Sequence, residues 1–109
     1  KWKYKLSGDI IVPVVGWATT FFPVSQNGFK LNFVDVDPNT WNIDVTKIEE
    51  AITPETCAIM PVNLLGNSCD YSKISELCNK HNLLLIEDNC ESMGAKYNDS
   101  YTGTIGLAG

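Results

Sequence analysis

Asp9-Ile10-Ile11-Val12-Pro13-Val14 is the stretch on which the fold turns. Its apolar residues run continuously instead of alternating with polar ones, the pattern of a strand covered on both faces, as in a parallel sheet. Pro13 has no N–H to give to a ladder and belongs near the carboxyl end. Three more such runs follow: Phe29 to Asp35, with Leu31, Phe33 and Val34 apolar; Cys57-Ala58-Ile59-Met60-Pro61-Val62; and Leu83-Leu84-Leu85-Ile86. The segments between them read as helices. Trp17 to about Gln26 is closed by Asn27-Gly28, although Thr19-Thr20 and Pro23 are poor helix residues. Val45 to Ile52 is capped by Asp44 and has Val45, Ile48, Ala51 and Ile52 at helical spacing. Tyr71 to about Asn79 is capped by Asp70, with Ile74, Leu77 and Cys78 on its inner face. Strands alternating with helices over short connections predict an α/β fold with a mainly parallel, doubly wound sheet.

Composition narrows the function. With 8 Lys+Arg against 13 Asp+Glu and a net charge of −5, the chain has no basic surplus for phosphates, and its only basic cluster is Lys1-Trp2-Lys3-Tyr4-Lys5. That argues against nucleic-acid binding. The longest apolar runs are far short of the roughly 20 residues that span a bilayer, so no membrane partner is expected. Residues 1–15 lack the apolar stretch and small-residue site of a signal peptide, which predicts a cytoplasmic location. The chain starts without Met and stops at Gly109 in a glycine-punctuated stretch with no closing helix or strand, the reading of a fragment incomplete at both ends. Cys57, Cys69, Cys78 and Cys90 are spaced too widely for a zinc knuckle and read as reduced thiols, with Cys57 and Cys78 in apolar patterns.

In an open parallel sheet, ligands bind beyond the carboxyl ends of the strands. The candidates are therefore Gly16 to Thr20, Asp35 and Asp37, Asn63 to Asn67, and Glu87 to Ser92. The last is the most pointed, because four aliphatic residues lead straight into two acids. Asp88 either caps the turn or aims a carboxylate at a cationic ligand group. Glu91, three residues on, faces the same crevice if the chain turns helical there. Trp17 offers a flat apolar face at the mouth of the sheet, or else packs in the core. Asn63 either holds a ligand or bonds only the loop backbone. Asp35 and Asp37 read as turn acids. His81, the sole histidine, falls at the end of a helix and away from the crevice, a position favoured by the helix dipole. No Ser/His/Asp or Cys/His triad can be built. Gly103, Gly106 and Gly109 lack the strand and spacing of a dinucleotide fingerprint, and no P-loop is present.

An ordered set of motifs adds a family resemblance: Gly8 to Pro13, Trp17-Ala18-Thr19-Thr20, Phe33 to Pro38, Asn42-Ile43-Asp44, Ala51-Ile52-Thr53-Pro54, Pro61 to Gly66, and Ile86-Glu87-Asp88-Asn89-Cys90-Glu91-Ser92-Met93-Gly94-Ala95. Together they resemble the DegT/StrS-type aminotransferases, over about residues 7–109. These are pyridoxal 5'-phosphate (PLP) enzymes of the aspartate-aminotransferase fold type (fold type I) that act on nucleotide-linked keto sugars. The resemblance implies that residues 1–109 are part of a PLP-binding large domain. It implies that Asp88 pairs with the pyridine nitrogen, that Trp17 stacks on the ring, and that Glu91 falls where a polar residue, Gln in many members, reaches the ring hydroxyl. Asn63 falls at a position where the family commonly has His, which makes it a substrate-binding candidate, and Leu107 stands where the family has an acid. The family's Schiff-base Lys would lie beyond Gly109 and its phosphate-cradling turn before Lys1, so no catalytic residue falls within the chain. The implied function is amine transfer to a nucleotide sugar from a donor such as glutamate, in polysaccharide or sugar biosynthesis, by a homodimer; the fragment alone is expected to be inactive. The Asn89-Cys90-Glu91-Ser92 wording resembles the deoxysugar 3-dehydratase branch, in which His replaces the Lys. A non-catalytic α/β binding module is the reading from a different class.

Overall fold

The computed structural model describes residues 6–109, so the basic cluster at residues 1–5 lies outside the described residues. Four strands, β1 (Asp9–Pro13), β2 (Lys30–Val34), β3 (Thr56–Ile59) and β4 (Leu84–Leu85), form one parallel sheet in the order β2-β1-β3-β4. Helices α1 (Ala18–Gln26), α2 (Val45–Ala51) and α3 (Tyr71–His81) connect them. The predicted fold class is borne out. Among the described residues no helix is long and apolar enough to cross a membrane.

The continuous apolar run of β1 is explained by what covers it. Side chains alternate faces along a strand: Ile10 and Val12 join Val24 of α1 and Ala58 on one side, while Ile11 joins Ile48 of α2, Ile74 of α3 and Ile59 on the other. Ile11, Val12, Ile48, Ile59 and Ile74 are fully buried, and each such side chain contributes about 1.5–3 kcal/mol. The chain steps from β1 to its neighbour β2, then reverses to β3 and β4. Crossovers of one hand must change faces when the direction reverses, which is why α1 lies on one face and α2 and α3 on the other. The switch falls between β1 and β3, and a crevice opens beyond their carboxyl ends.

Local chemistry sets the element ends. The Asp44 carboxylate accepts from the Thr46 amide at 3.0 Å to start α2, and Asp70 accepts from the Lys73 amide at 3.3 Å to start α3. The α3 helix runs two residues past Asn79, because Asn82 takes a left-handed conformation (φ 54°) and the amides of Asn82 and Leu83 bond back to Asn79 and Cys78, a Schellman-type stop. Pro23 sits inside α1, and the following turn closes on its carbonyl through the amide and side chain of Asn27, at 3.1 and 2.8 Å.

Three features depart from the sequence reading. The third strand ends at Ile59, before Pro61 can interrupt it, and pairing resumes only at an isolated parallel bridge between Val62 and Asp88. An antiparallel hairpin, β5 (Lys96–Tyr97) and β6 (Ser100–Tyr101), turns at Asn98 (φ 53°) and Asp99. The glycine-punctuated end also rejoins the sheet: Ile86 bridges Ala108 in parallel, the Leu107 amide donates to Leu85 at 2.8 Å, and the Glu87 amide donates to Ala108 at 2.8 Å.

Candidate functional site

Asp88 stands where the sheet opens. Its amide donates to Pro61 at 3.0 Å and its carbonyl accepts from Asn63 at 3.1 Å, so the main chain is held to the end of β3. Its carboxylate has two protein partners. The Thr20 hydroxyl, in the first turn of α1, donates to Oδ2 at 2.6 Å, and the Cys90 amide donates to Oδ1 at 3.2 Å. Asp88 thus caps its turn and also projects to the crevice. Partial burial pushes its carboxyl up, but the hydrogen bonds from Thr20 and Cys90 outweigh this and hold it below the usual carboxylate range. The group is ionised at neutral pH. It borders a cleft of about 490 Å³ lined by Thr19, Thr20, Val24, Met60, Cys90 and Gly109, among others.

Trp17 does not pack in the core. It is 62% exposed and precedes α1 without a side-chain cap. Its indole Nε1–H donates to Glu91 Oε1 at 2.6 Å, and the Leu65 amide donates to Glu91 Oε2 at 2.8 Å. The Leu65 amide first, and the indole second, hold the Glu91 carboxyl below its ordinary range. The chain past β4 makes turns instead of a helix, so Glu91 reaches the loops after β1 and β3 and does not line the Asp88 cleft.

Asn63 lies inside the loop after β3. Its side chain is fully buried; Oδ1 accepts from the Cys69 amide and the Tyr71 hydroxyl, both at 3.0 Å, and Nδ2 donates to Asn89 at 3.2 Å. It braces the loop after β3, and a buried amide so held would cost free energy to pull from its partners. Asp35 and Asp37 are turn acids as expected, accepting from Val36 and Asn39. His81 ends α3 at the far edge of the sheet, 3.2 Å from Glu49. The four cysteines are free; Cys69 and Cys78 are buried and Cys90 is exposed beside Asp88. Burial pushes the Cys69 thiol up to about 12. Among the described residues no cluster of His, Cys, Asp or Glu is arranged to hold a metal.

Glu87, one of the two acids that the sequence places at the crevice, turns inward instead. It is 4% exposed, and its carboxylate accepts from three backbone amides: Gly103 at 2.6 Å, Ile105 at 2.7 Å and Gly106 at 2.6 Å. This anchors the glycine loop that rejoins the sheet. A Cβ on Gly106 would lie 2.6 Å from the Leu85 carbonyl, so glycine is what lets the loop pass against β4. The three-residue glycine spacing was the signal, and it meant close backbone approach to a buried acid.

Fold and crevice define a class, a parallel α/β chain with an ionised aspartate at the switch of its sheet. More narrowly, residues 3–109 match the DegT/DnrJ/EryC1/StrS aminotransferase family, and the chain belongs to it. Over 107 residues it is 47% identical to the GDP-4-keto-6-deoxy-D-mannose 3-dehydratase of Escherichia coli, covering 98% of this chain and 28% of that protein. It is 43% identical to the GDP-perosamine synthase of Caulobacter vibrioides, covering 90% of this chain and 26% of the relative. Among solved structures, a GDP-4-keto-6-deoxymannose-3-dehydratase with a trapped PLP-glutamate geminal diamine superposes with a TM-score of 0.89 at 48% identity, covering 94% of this chain and 27% of that one. The chain therefore spans little more than a quarter of the length of these relatives.

Proposed function

We propose that this chain is part of the large, PLP-binding domain of an enzyme that acts on nucleotide-linked keto sugars, and that it grips the pyridine side of the cofactor. The observation that carries this reading is the Asp88 carboxylate, kept ionised by Thr20 and Cys90 at the edge of the sheet-end cleft. A partly desolvated carboxylate with both oxygens oriented fits a protonated ring nitrogen, from which it accepts a charge-assisted hydrogen bond. Bound PLP supplies an electron sink for charge that develops on the substrate carbon, and a proton kept on that nitrogen is what makes the ring accept it. Asp88 holds the proton, Thr20 and the Cys90 amide hold Asp88, and Trp17 supplies the flat face. The residue that bonds the cofactor aldehyde, or replaces it as a proton carrier, belongs to chain beyond Gly109.

Two reactions fit this site, and similarity orders them. The chain is 47% identical to a 3-dehydratase and 43% to a synthase that bears an amino-sugar name, which favours removal of a hydroxyl from a nucleotide-linked 4-keto-6-deoxy sugar over amine transfer. The Asn89-Cys90-Glu91-Ser92 wording points the same way. Either reaction draws on a nucleotide sugar and an amino donor such as glutamate. A homodimer in the cytoplasm completes the proposal, and the 109 residues by themselves are inactive. The test is product analysis by NMR: the whole enzyme is given PLP, glutamate and GDP-4-keto-6-deoxymannose. Loss of the carbon-3 hydroxyl supports dehydration, a new amine at carbon 4 supports transfer, and no PLP-dependent product refutes both.

A further inference from the structure

Three loops converge beyond the carboxyl edge of the sheet, and a single side chain ties them. Glu91, in the turn after β4, takes the indole N–H of Trp17 from the loop after β1 on one oxygen, at 2.6 Å. On the other it takes the amide of Leu65 from the turn after β3, at 2.8 Å. Trp17 has 62% of its surface exposed, so core packing does not hold the ring. Leu65 has a left-handed backbone (φ 54°) inside a short 3-10 turn that is itself 83% exposed at this residue. Among the described residues, neither of these N–H groups has another acceptor.

We infer that Glu91 is a positioning residue: it clasps the Trp17 indole to the Leu65 turn and thereby sets the ring plane at the mouth of the crevice. The acid is required by donor count. Two N–H groups approach two separate oxygens, and a carboxylate is an acceptor at both. A glutamine would turn its NH2 toward one of these donors and lose that bond. An acid at position 91 meets both donors, the Trp17 indole and the Leu65 amide. In this arrangement Glu91 acts on the cofactor through Trp17, whose ring it orients. The clasp itself stands on geometry alone; its consequence for the cofactor rests on the PLP reading above.

The test separates the two. The full chain is labelled with 5-fluorotryptophan and the Trp17 fluorine resonance is assigned by its loss in Trp17→Phe. Glu91→Gln is expected to move and broaden that resonance with no cofactor present; an unchanged resonance overturns the clasp. PLP affinity is then measured in the whole enzyme for the wild type, Glu91→Gln, Trp17→Phe and the double variant. Glu91→Gln is expected to weaken PLP by about tenfold, the low end for loss of one charged hydrogen bond, and to have almost no further effect when Trp17 is already Phe. An equal loss in both backgrounds places Glu91 on the cofactor and overturns the inference. A changed resonance with no PLP binding by any of the four proteins refutes the cofactor reading and leaves the clasp standing. Should Glu91→Gln misfold, Trp17→Phe with Glu91→Asp in the same cycle gives the same contrast.

Discussion

The Thr20 hydroxyl and the Asp88 carboxylate, 68 residues apart, meet at 2.6 Å and join the first turn of α1 to the end of the sheet. This bond is the largest influence holding Asp88 ionised against the opposing effect of burial. Replacing Thr20 by Val keeps the shape and removes the donor. The Asp88 carboxyl then titrates at higher pH, read by carbon NMR of the carboxyl groups, and the chain loses about 1 kcal/mol at neutral pH in urea unfolding. An unmoved titration curve would show that Thr20 does not govern the charge of Asp88.

Acid should weaken the fold through the same logic. Asp88 is joined by two helix caps with lowered carboxyls: Asp44, chiefly through its bond from the Thr46 side chain, and Asp70, where burial pushes up but bonds from Tyr97 and Lys73 prevail. A carboxyl that titrates lower in the folded than in the unfolded chain stabilises the fold above its unfolded value, near pH 4. That contribution disappears as pH falls through the folded value. The thermal midpoint is therefore expected to be level from pH 7 to about 5 and to drop steeply below about 4. Asp44→Ala should flatten part of the drop and lower the plateau by about 1 kcal/mol.

Glu87 anchors three amides, so its neutral analogue is costly. In Glu87→Gln an NH2 group faces a backbone N–H, and about 1.5–3 kcal/mol of stability is expected to go. Hydrogen exchange should accelerate at Gly103, Ile105 and Gly106 while the β1 amides stay protected. If exchange at those three amides matches wild type, the carboxylate is not what holds the loop.

Asn63 is expected to matter for stability and not for substrate recognition. Asn63→Ala orphans the Cys69 amide and the Tyr71 hydroxyl, each at about 1–3 kcal/mol. In the whole enzyme the Michaelis constant for the sugar should stay within about twofold of wild type wherever the variant remains folded, since two partners lost inside the loop leave the crevice intact. A large rise in that constant with unchanged stability would return Asn63 to the substrate site.

Thiol labelling maps the core directly. Cys90 is exposed and should react first, though slowly, because the Asp88 carboxylate beside its thiol raises its pKa. Cys69, pushed up to about 12 by burial, and Cys78, pushed up to about 11, should label only on unfolding. Mass spectrometry after a timed maleimide exposure distinguishes them. Early labelling of Cys69 would contradict the packing described between β3 and α3.

What the residues determined unaided is the part of the molecule written in local patterns. The unbroken apolar run of residues 10–12 required cover on both faces, Asp44 and Asp70 announced the helices they cap, and the acids after Leu83 to Ile86 marked the carboxyl edge of the sheet. Those readings hold because hydrophobic period, capping and strand polarity depend on neighbours within a few positions. The polar partnerships were decided only in three dimensions. Asn63 looked like a site residue and is a buried brace, Glu87 looked like half of an acidic pair and is the anchor of a loop sixteen to nineteen residues on, and Glu91 reaches Trp17 across 74 residues. An amide or carboxylate satisfies whichever donors the fold delivers to it, and the loops that bring those donors together come from separate strands, so no local spacing records them.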